Sequence, residues 1–158
     1  QHTANGGDTE VFMQAVYEQG RDNVRTPIQW DNSPNGGFTD GTPWIKVNPN
    51  YKTINVAQAL TDKDSIFYFY QQLLQFRKQY VHVFVNGSYR DFLPEHDQLF
   101  LYERRTEKEQ FLIALNMSEA TVEWSVPEGM ELKLGNLPDV DASNLQPWEG
   151  RIYFRTLA

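Results

Sequence analysis

Two arginines, two aspartates, an asparagine, a glutamine and a tryptophan crowd into the run Arg21-Asp22-Asn23-Val24-Arg25-Thr26-Pro27-Ile28-Gln29-Trp30-Asp31. A guanidinium fork pairs bidentately with carboxylates and can orient sugar hydroxyls, because its N–H groups are planar and permanently charged. The run therefore has two readings, ion pairing inside a loop or a ligand-facing role, and the residues alone leave both open. Other chemistries lack their parts. Histidine occurs only at 2, 82 and 96, without the spacing that would place two imidazoles on one metal. There is no Gly-x-Ser-x-Gly elbow and no Gly-x-x-x-x-Gly-Lys phosphate loop. Asp62/Asp64, Glu95/Asp97 and Asp139/Asp141 are close pairs, but each sits in a turn-like or capping context, where solvated carboxylates are the ordinary outcome. No catalytic residue, metal or cofactor is expected within the chain.

The elements that must position these residues fall into two styles. Val11, Phe12, Ala15 and Val16 have helical spacing, with Asp8 as an N-cap and Gly20 as a stop, which predicts a helix over residues 9 to 19. From Arg21 to about Asn55, four prolines alternate with glycines and neither periodicity survives. Trp30, Phe38, Trp44 and Tyr51 argue that this long loop is packed against something. A second helix is predicted over 65 to 79, with Ile66, Phe67, Phe69, Tyr70, Leu73, Leu74 and Phe76 on a broad apolar face and Arg77 and Lys78 at its C-terminal end.

Beyond Tyr80 the period becomes two. Strands are expected at 81 to 85, 89 to 93, 99 to 104, 111 to 115, 122 to 126 and 152 to 154, with turns such as Asn86-Gly87 and Glu128-Gly129 between them. That pattern predicts an antiparallel β-sandwich with Val83, Tyr89, Phe100, Tyr102, Leu112, Ala114, Val122, Trp124 and Phe154 in its core. The fold class is thus mostly β with appended helices.

The 158 residues carry 14 Lys and Arg against 21 Asp and Glu, a net charge of −7, with no basic run. A nucleic-acid surface is not expected from such a balance. Nor is a membrane span, since no apolar run approaches the roughly 20 residues that one needs. Cysteine is absent, so disulfides and thiolate metal sites are excluded. Gln1 follows neither an initiator methionine nor a basic, apolar leader, and the expectation is a cut end inside a longer protein.

The run GRDNVRTPIQWDNSPNGGFTDGTPWIKVNPNYKTINVAQAL, continued by DKDSIFYFYQQLLQFRK, resembles the region after the last catalytic motif of family 13 glycoside hydrolases of the oligo-1,6-glucosidase and dextran glucosidase type. The likeness is close over about residues 8 to 115 and looser beyond, and it departs from the commoner form at Ile28, where Met is usual. It implies that residues 1 to 80 are the last loop and final helix of a catalytic (β/α)8 barrel, and that 81 to 158 are a C-terminal antiparallel β-sandwich domain. The barrel would then be a partner of the same longer chain, with the catalytic carboxylates in its upstream part. The resemblance assigns one substrate-binding residue here, Arg21, which pairs with a barrel Asp and reaches the 4-hydroxyl of the nonreducing glucose.

The implied activity is that of a retaining, cytoplasmic α-glucosidase acting on terminal α-1,6-linked glucose of short oligosaccharides, the segment alone being inactive. Trehalose-6-phosphate hydrolase and sucrose isomerase are alternatives within the family. A non-catalytic carbohydrate-binding sandwich using exposed Trp124 or Trp148 is an alternative of another class. Exposed coplanar aromatics on one sheet face would favour it, and their burial would favour a domain of an enzyme.

Overall fold

A computed structural model describes residues 8–138 and 141–157. The chain divides between Tyr68 and Phe69 into two compact units. In the N-terminal unit, α1 spans Thr9–Gln19, the predicted range. Asp8 caps it by accepting from the Glu10 and Val11 amides, which satisfies two of the donors left over at a helix start. At the other end the Gly20 amide donates to the Val16 carbonyl at 2.8 Å, and a Cβ on Gly20 would stand 2.3 Å from that same oxygen. Only glycine lets the chain leave the helix this tightly, so Gly20 sets the direction of the residues that follow.

The loop from Arg21 contains no strand. It is built from short 3-10 turns at Asp22–Val24, Pro34–Gly37 and Pro49–Lys52. The Trp30 and Asp31 amides both donate to the Gly36 carbonyl, and the Gln29 side chain bonds the Ile54 carbonyl, so the loop is tied across its length. A short helix, α2 (Val56–Thr61), closes the unit. Periodicity alone missed it because six residues are too few to show a period. Its signal is Asn55, buried, whose side chain accepts from the Gln58 amide and donates to the Tyr51 carbonyl.

Helix α3 (Ile66–Gln79) matches the second predicted helix to within one residue. The strand expected at 81 to 85 is absent, and Val81–Phe84 form a helical turn, α4. The alternating valines are overridden by packing. Val83 is fully buried against Phe111 and Ile113, and the Val85 amide returns to the Val81 carbonyl.

The C-terminal unit then runs as β1 (Ser88–Asp91), β2 (Leu99–Arg105), β3 (Glu109–Asn116), β4 (Val122–Glu123), β5 (Glu131–Gly135), β6 (Asn144–Leu145) and β7 (Gly150–Thr156). All pairings are antiparallel, in a five-stranded sheet of order β1-β2-β3-β7-β5 and a two-stranded sheet of β4 with β6. The sequence pattern does not predict β5 and β6: one has a lysine between its two leucines, and the other is two residues long.

Each face of the large sheet has its own core. Leu99 and Ala114 meet Val122 and Leu145 of the small sheet, with Trp124 packed alongside. On the opposite face, Phe111 and Ile113 pack with Val83 and with Phe76, Tyr80 and Phe84 from the helices. The register explains this division, because Leu101 pairs with Ala114 and Ala114 with Arg151, while Tyr102 pairs with Ile113 and Ile113 with Ile152.

Of the predicted core, Val83, Leu112, Ala114 and Val122 are buried. Tyr102, Trp124 and Phe154 are half-buried. Two assignments need correction: Tyr89 is 52% exposed and Phe100 39%. Both lie on the helix side of the sheet, toward its β1 edge, outside the cluster in which Phe76, Tyr80, Val83 and Phe84 pack on Phe111 and Ile113.

Candidate functional site

Arg21 begins the turn after α1, with φ −119° and ψ 3°, and its carbonyl accepts from the Val24 amide. Its side chain is exposed, as is that of Arg25. An open groove runs past Tyr17, Arg21, Asp22, Asn23 and Arg25. Among the described residues neither arginine forms an ion pair with Asp22 or Asp31, so the internal salt bridges that the sequence allowed are not made. Two unoccupied guanidinium groups on one open groove can donate to sugar hydroxyls or to a carboxylate brought in by another part of the protein.

Asp31, the other carboxylate of the motif, is occupied locally. Its Oδ1 accepts from the Ser33 hydroxyl and from the Ser33 amide at 2.8 Å, and these bonds hold its pKa below the usual aspartate value. Because the folded pKa is depressed, the stabilisation is present above the ordinary aspartate range and is lost as pH falls through the folded value. Removing the hydroxyl in Ser33→Ala should therefore move the Asp31 carboxyl titration, followed by NMR, back upward; an unchanged titration would show that the hydroxyl does not hold the charge.

The same carboxylate explains a glycine. Gly37 has φ +67°, and a Cβ there would lie 2.8 Å from Asp31 Oδ1. Gly37→Ala combines a left-handed backbone with that clash and is expected to cost about 1 to 3 kcal/mol in a urea titration. A loss below about 0.5 kcal/mol would mean that the loop relaxes around it.

The remaining sequence candidates do not converge. The Asp62 side chain accepts from the Asp64 amide at 3.0 Å. Asp141 accepts from Asn144 and from the Ser143 amide, which lower its pKa, and Asp139 lies outside the described residues. His96 closes a turn through the Gln98 and Leu99 amides, while His82 meets Glu109. His2 is outside the described residues. Among those described, no group of three or more His, Cys, Asp or Glu is arranged to hold a metal ion, and no helix is long and apolar enough to cross a membrane. Trp124 packs on Tyr153 with ring centroids 5.7 Å apart, whereas Trp148 is 57% exposed.

Residues 1–87 match the family model described as alpha amylase, catalytic domain, and end one position before β1. The chain belongs to that family. Within it, the chain is 50% identical over 147 residues to an oligo-1,6-glucosidase of Heyndrickxia coagulans, a match covering 92% of this chain and 26% of that protein. Among solved structures, it is similar to trehalose-6-phosphate hydrolase of Bacillus licheniformis, with 34% identity, a TM-score of 0.81 and coverage of 96% of this chain and 29% of the other. It is also similar to isomaltulose synthase of Erwinia rhapontici NX5, with 34% identity, a TM-score of 0.83 and coverage of 97% and 29%. The chain thus spans little more than a quarter of the length of the proteins it matches.

Proposed function

We propose that this chain forms the C-terminal portion of a retaining α-glucosidase that hydrolyses terminal α-1,6-linked glucose from short oligosaccharides. The observation that carries the proposal is half-identity to an oligo-1,6-glucosidase along nearly the whole chain. In this reading residues 1 to 80 complete a catalytic barrel and 81 to 158 are the domain that follows it. A retaining mechanism uses one carboxylate as nucleophile and a second as acid/base, about 5 to 5.5 Å apart. Both belong to the rest of the barrel, and this chain contributes Arg21 as a donor to the substrate.

Exposed apolar side chains in the N-terminal unit support a missing neighbour: Val24 and Trp44 are each 77% exposed and Ile54 62%. Covering such surface contributes about 25 cal/mol for each Å² removed from water. The test is an assay of the longer protein on isomaltose, trehalose 6-phosphate and sucrose, with the anomer of the released glucose followed by NMR. Isomaltose cleavage with initial release of α-glucose is expected. Preferential cleavage of trehalose 6-phosphate, isomerisation of sucrose, or release of the β-anomer would overturn the reading.

A further inference from the structure

The turn Asn86-Gly87 between α4 and β1 is of a kind that is chemically labile in an unfolded chain. The Gly87 backbone nitrogen, once deprotonated, attacks the Asn86 Cγ. The side-chain nitrogen leaves as ammonia, and water opens the resulting succinimide to aspartate or isoaspartate. Glycine favours the step because no side chain hinders the close approach of its backbone. Asn86 is exposed, and among the described residues no hydrogen bond holds its side-chain amide.

The backbone on either side of Asn86 is held instead. The Gly87 amide donates to the Val83 carbonyl at 3.0 Å, so the nucleophilic nitrogen is directed at α4 and not at the Asn86 side chain. A Cβ on Gly87 would stand 2.5 Å from the Val83 oxygen and 2.7 Å from the Arg105 oxygen, which wedges this residue between α4 and β2. Arg104 of β2 bonds both flanking carbonyls through Nη2, that of Val85 at 3.2 Å and that of Gly87 at 2.9 Å. Its Nε is buried and makes no hydrogen bond among the described residues. The guanidinium thus gives up one bond and bridges the two carbonyls around Asn86.

We propose that Asn86 is a deamidation site that the fold keeps closed, with Arg104 as the positioning residue that closes it. Attack requires the Asn86–Gly87 peptide to rotate, and rotation breaks the Gly87–Val83 bond together with a bond to Arg104. Access is therefore set by local opening of the α4–β1 joint, since the side chain itself already faces solvent. The other described Asn-Gly step, Asn35-Gly36, is held by different bonds. Asn35 Nδ2 donates to the Thr39 and Gly41 carbonyls at 3.0 and 2.9 Å, and the amide of buried Gly36 donates to the Ser33 carbonyl at 2.9 Å. It is an internal control for any effect of Arg104.

The experiment is ageing of the longer protein at mildly alkaline pH, with aspartate and isoaspartate at each Asn-Gly step quantified by peptide mass spectrometry and a circular-dichroism melt of each variant. Native wild type is expected to deamidate slowly at Asn86, and the urea-unfolded protein rapidly at both steps. Arg104→Ala should accelerate Asn86 about tenfold or more, the equivalent of one charge-assisted hydrogen bond, and leave Asn35 unchanged. Arg104→Lys should protect Asn86 only in part, since a flexible ammonium is not held in place as the planar fork is. Deamidation of native wild type at the rate seen in urea would overturn the closed site. An unchanged rate at Asn86 in Arg104→Ala, or equal acceleration of Asn35 and Asn86 with a lowered melting temperature, would overturn the role of Arg104.

Discussion

Glu149→Ala is expected to lower the stability of the C-terminal unit by about 3 to 5 kcal/mol, the cost of removing one partner from a buried ion pair. Glu149 and Arg151 are each 1% exposed. The fork is bidentate, Arg151 Nε donating to Glu149 Oε1 at 2.6 Å and Nη2 to Oε2 at 2.9 Å. The other donors reach further: Nη1 bonds the Asp141 carbonyl at 2.7 Å and the Tyr153 hydroxyl at 3.3 Å, and Nη2 bonds the Asn144 carbonyl at 2.7 Å. Burial opposes the charge on Arg151, but the bonds to Glu149 and Tyr153 outweigh it and raise its pKa further. Glu149 Oε2 also accepts from the Gln146 amide at 2.7 Å.

The pair therefore fastens β7 to the segment leading into and out of β6, and with it the small sheet. Replacing both charges by apolar residues is often neutral at other sites, but here the part-buried Asp141 and Asn144 carbonyls would still lose their donors, and the Tyr153 hydroxyl its partner. A double variant Glu149→Leu/Arg151→Met should accordingly remain destabilised, though by less than the two single changes added together. Urea unfolding followed by near-UV circular dichroism measures all three. A loss below about 1 kcal/mol in Glu149→Ala would mean that water or a neighbouring group replaces the carboxylate.

Local signals made the two long helices, α1 and α3, readable. Asp8 and Gly20 bracket α1 because a capping carboxylate and a tight exit are local requirements, and the apolar stripe of α3 needs only its own fourteen residues. The strands of the large sheet were legible where β-branched and aromatic residues alternate, as in β2 and β3. What failed depends on distant residues. Val81, Val83 and Val85 alternate like a strand, yet Phe111 and Ile113 fill the space around Val83 only if the chain coils. Tyr89 and Phe100 have core-like side chains, and what leaves them open is that the helical side chains Phe76, Val83 and Phe84 gather on Phe111 and Ile113 instead, which no local pattern records. Arg151 gives no warning at all. A single Arg two residues after a Glu on a strand reads as a surface pair, and its burial follows from the small sheet closing over β7.

Arg21→Ala in the longer protein is expected to lower kcat/KM on isomaltose by about one to two orders of magnitude. A hydrogen bond from a charged donor is worth about 1.5 to 3 kcal/mol, and roughly 1.4 kcal/mol is a factor of ten in rate. The expectation rests on the role that the family resemblance implies for Arg21, and its place accommodates that role: directly after the Gly20 exit, exposed, on an open groove, and with no carboxylate of its own loop engaged. In the proposed barrel, active-site groups gather at the C-terminal ends of the strands, and a carboxylate there would hold part of the fork while a remaining N–H donates to glucose. Arg21→Lys should recover little, since a point charge does not reproduce a planar, two-pronged donor. The change should leave the melting temperature nearly untouched, because an exposed arginine without an ion pair contributes little to folding. Unchanged kcat/KM, or a loss matched by a collapsed melting temperature, would instead assign Arg21 a structural role. Partition of the loss between kcat and KM adds a further reading: a fall in kcat marks a contact that strengthens in the transition state, and a rise in KM alone marks one made equally to the bound substrate.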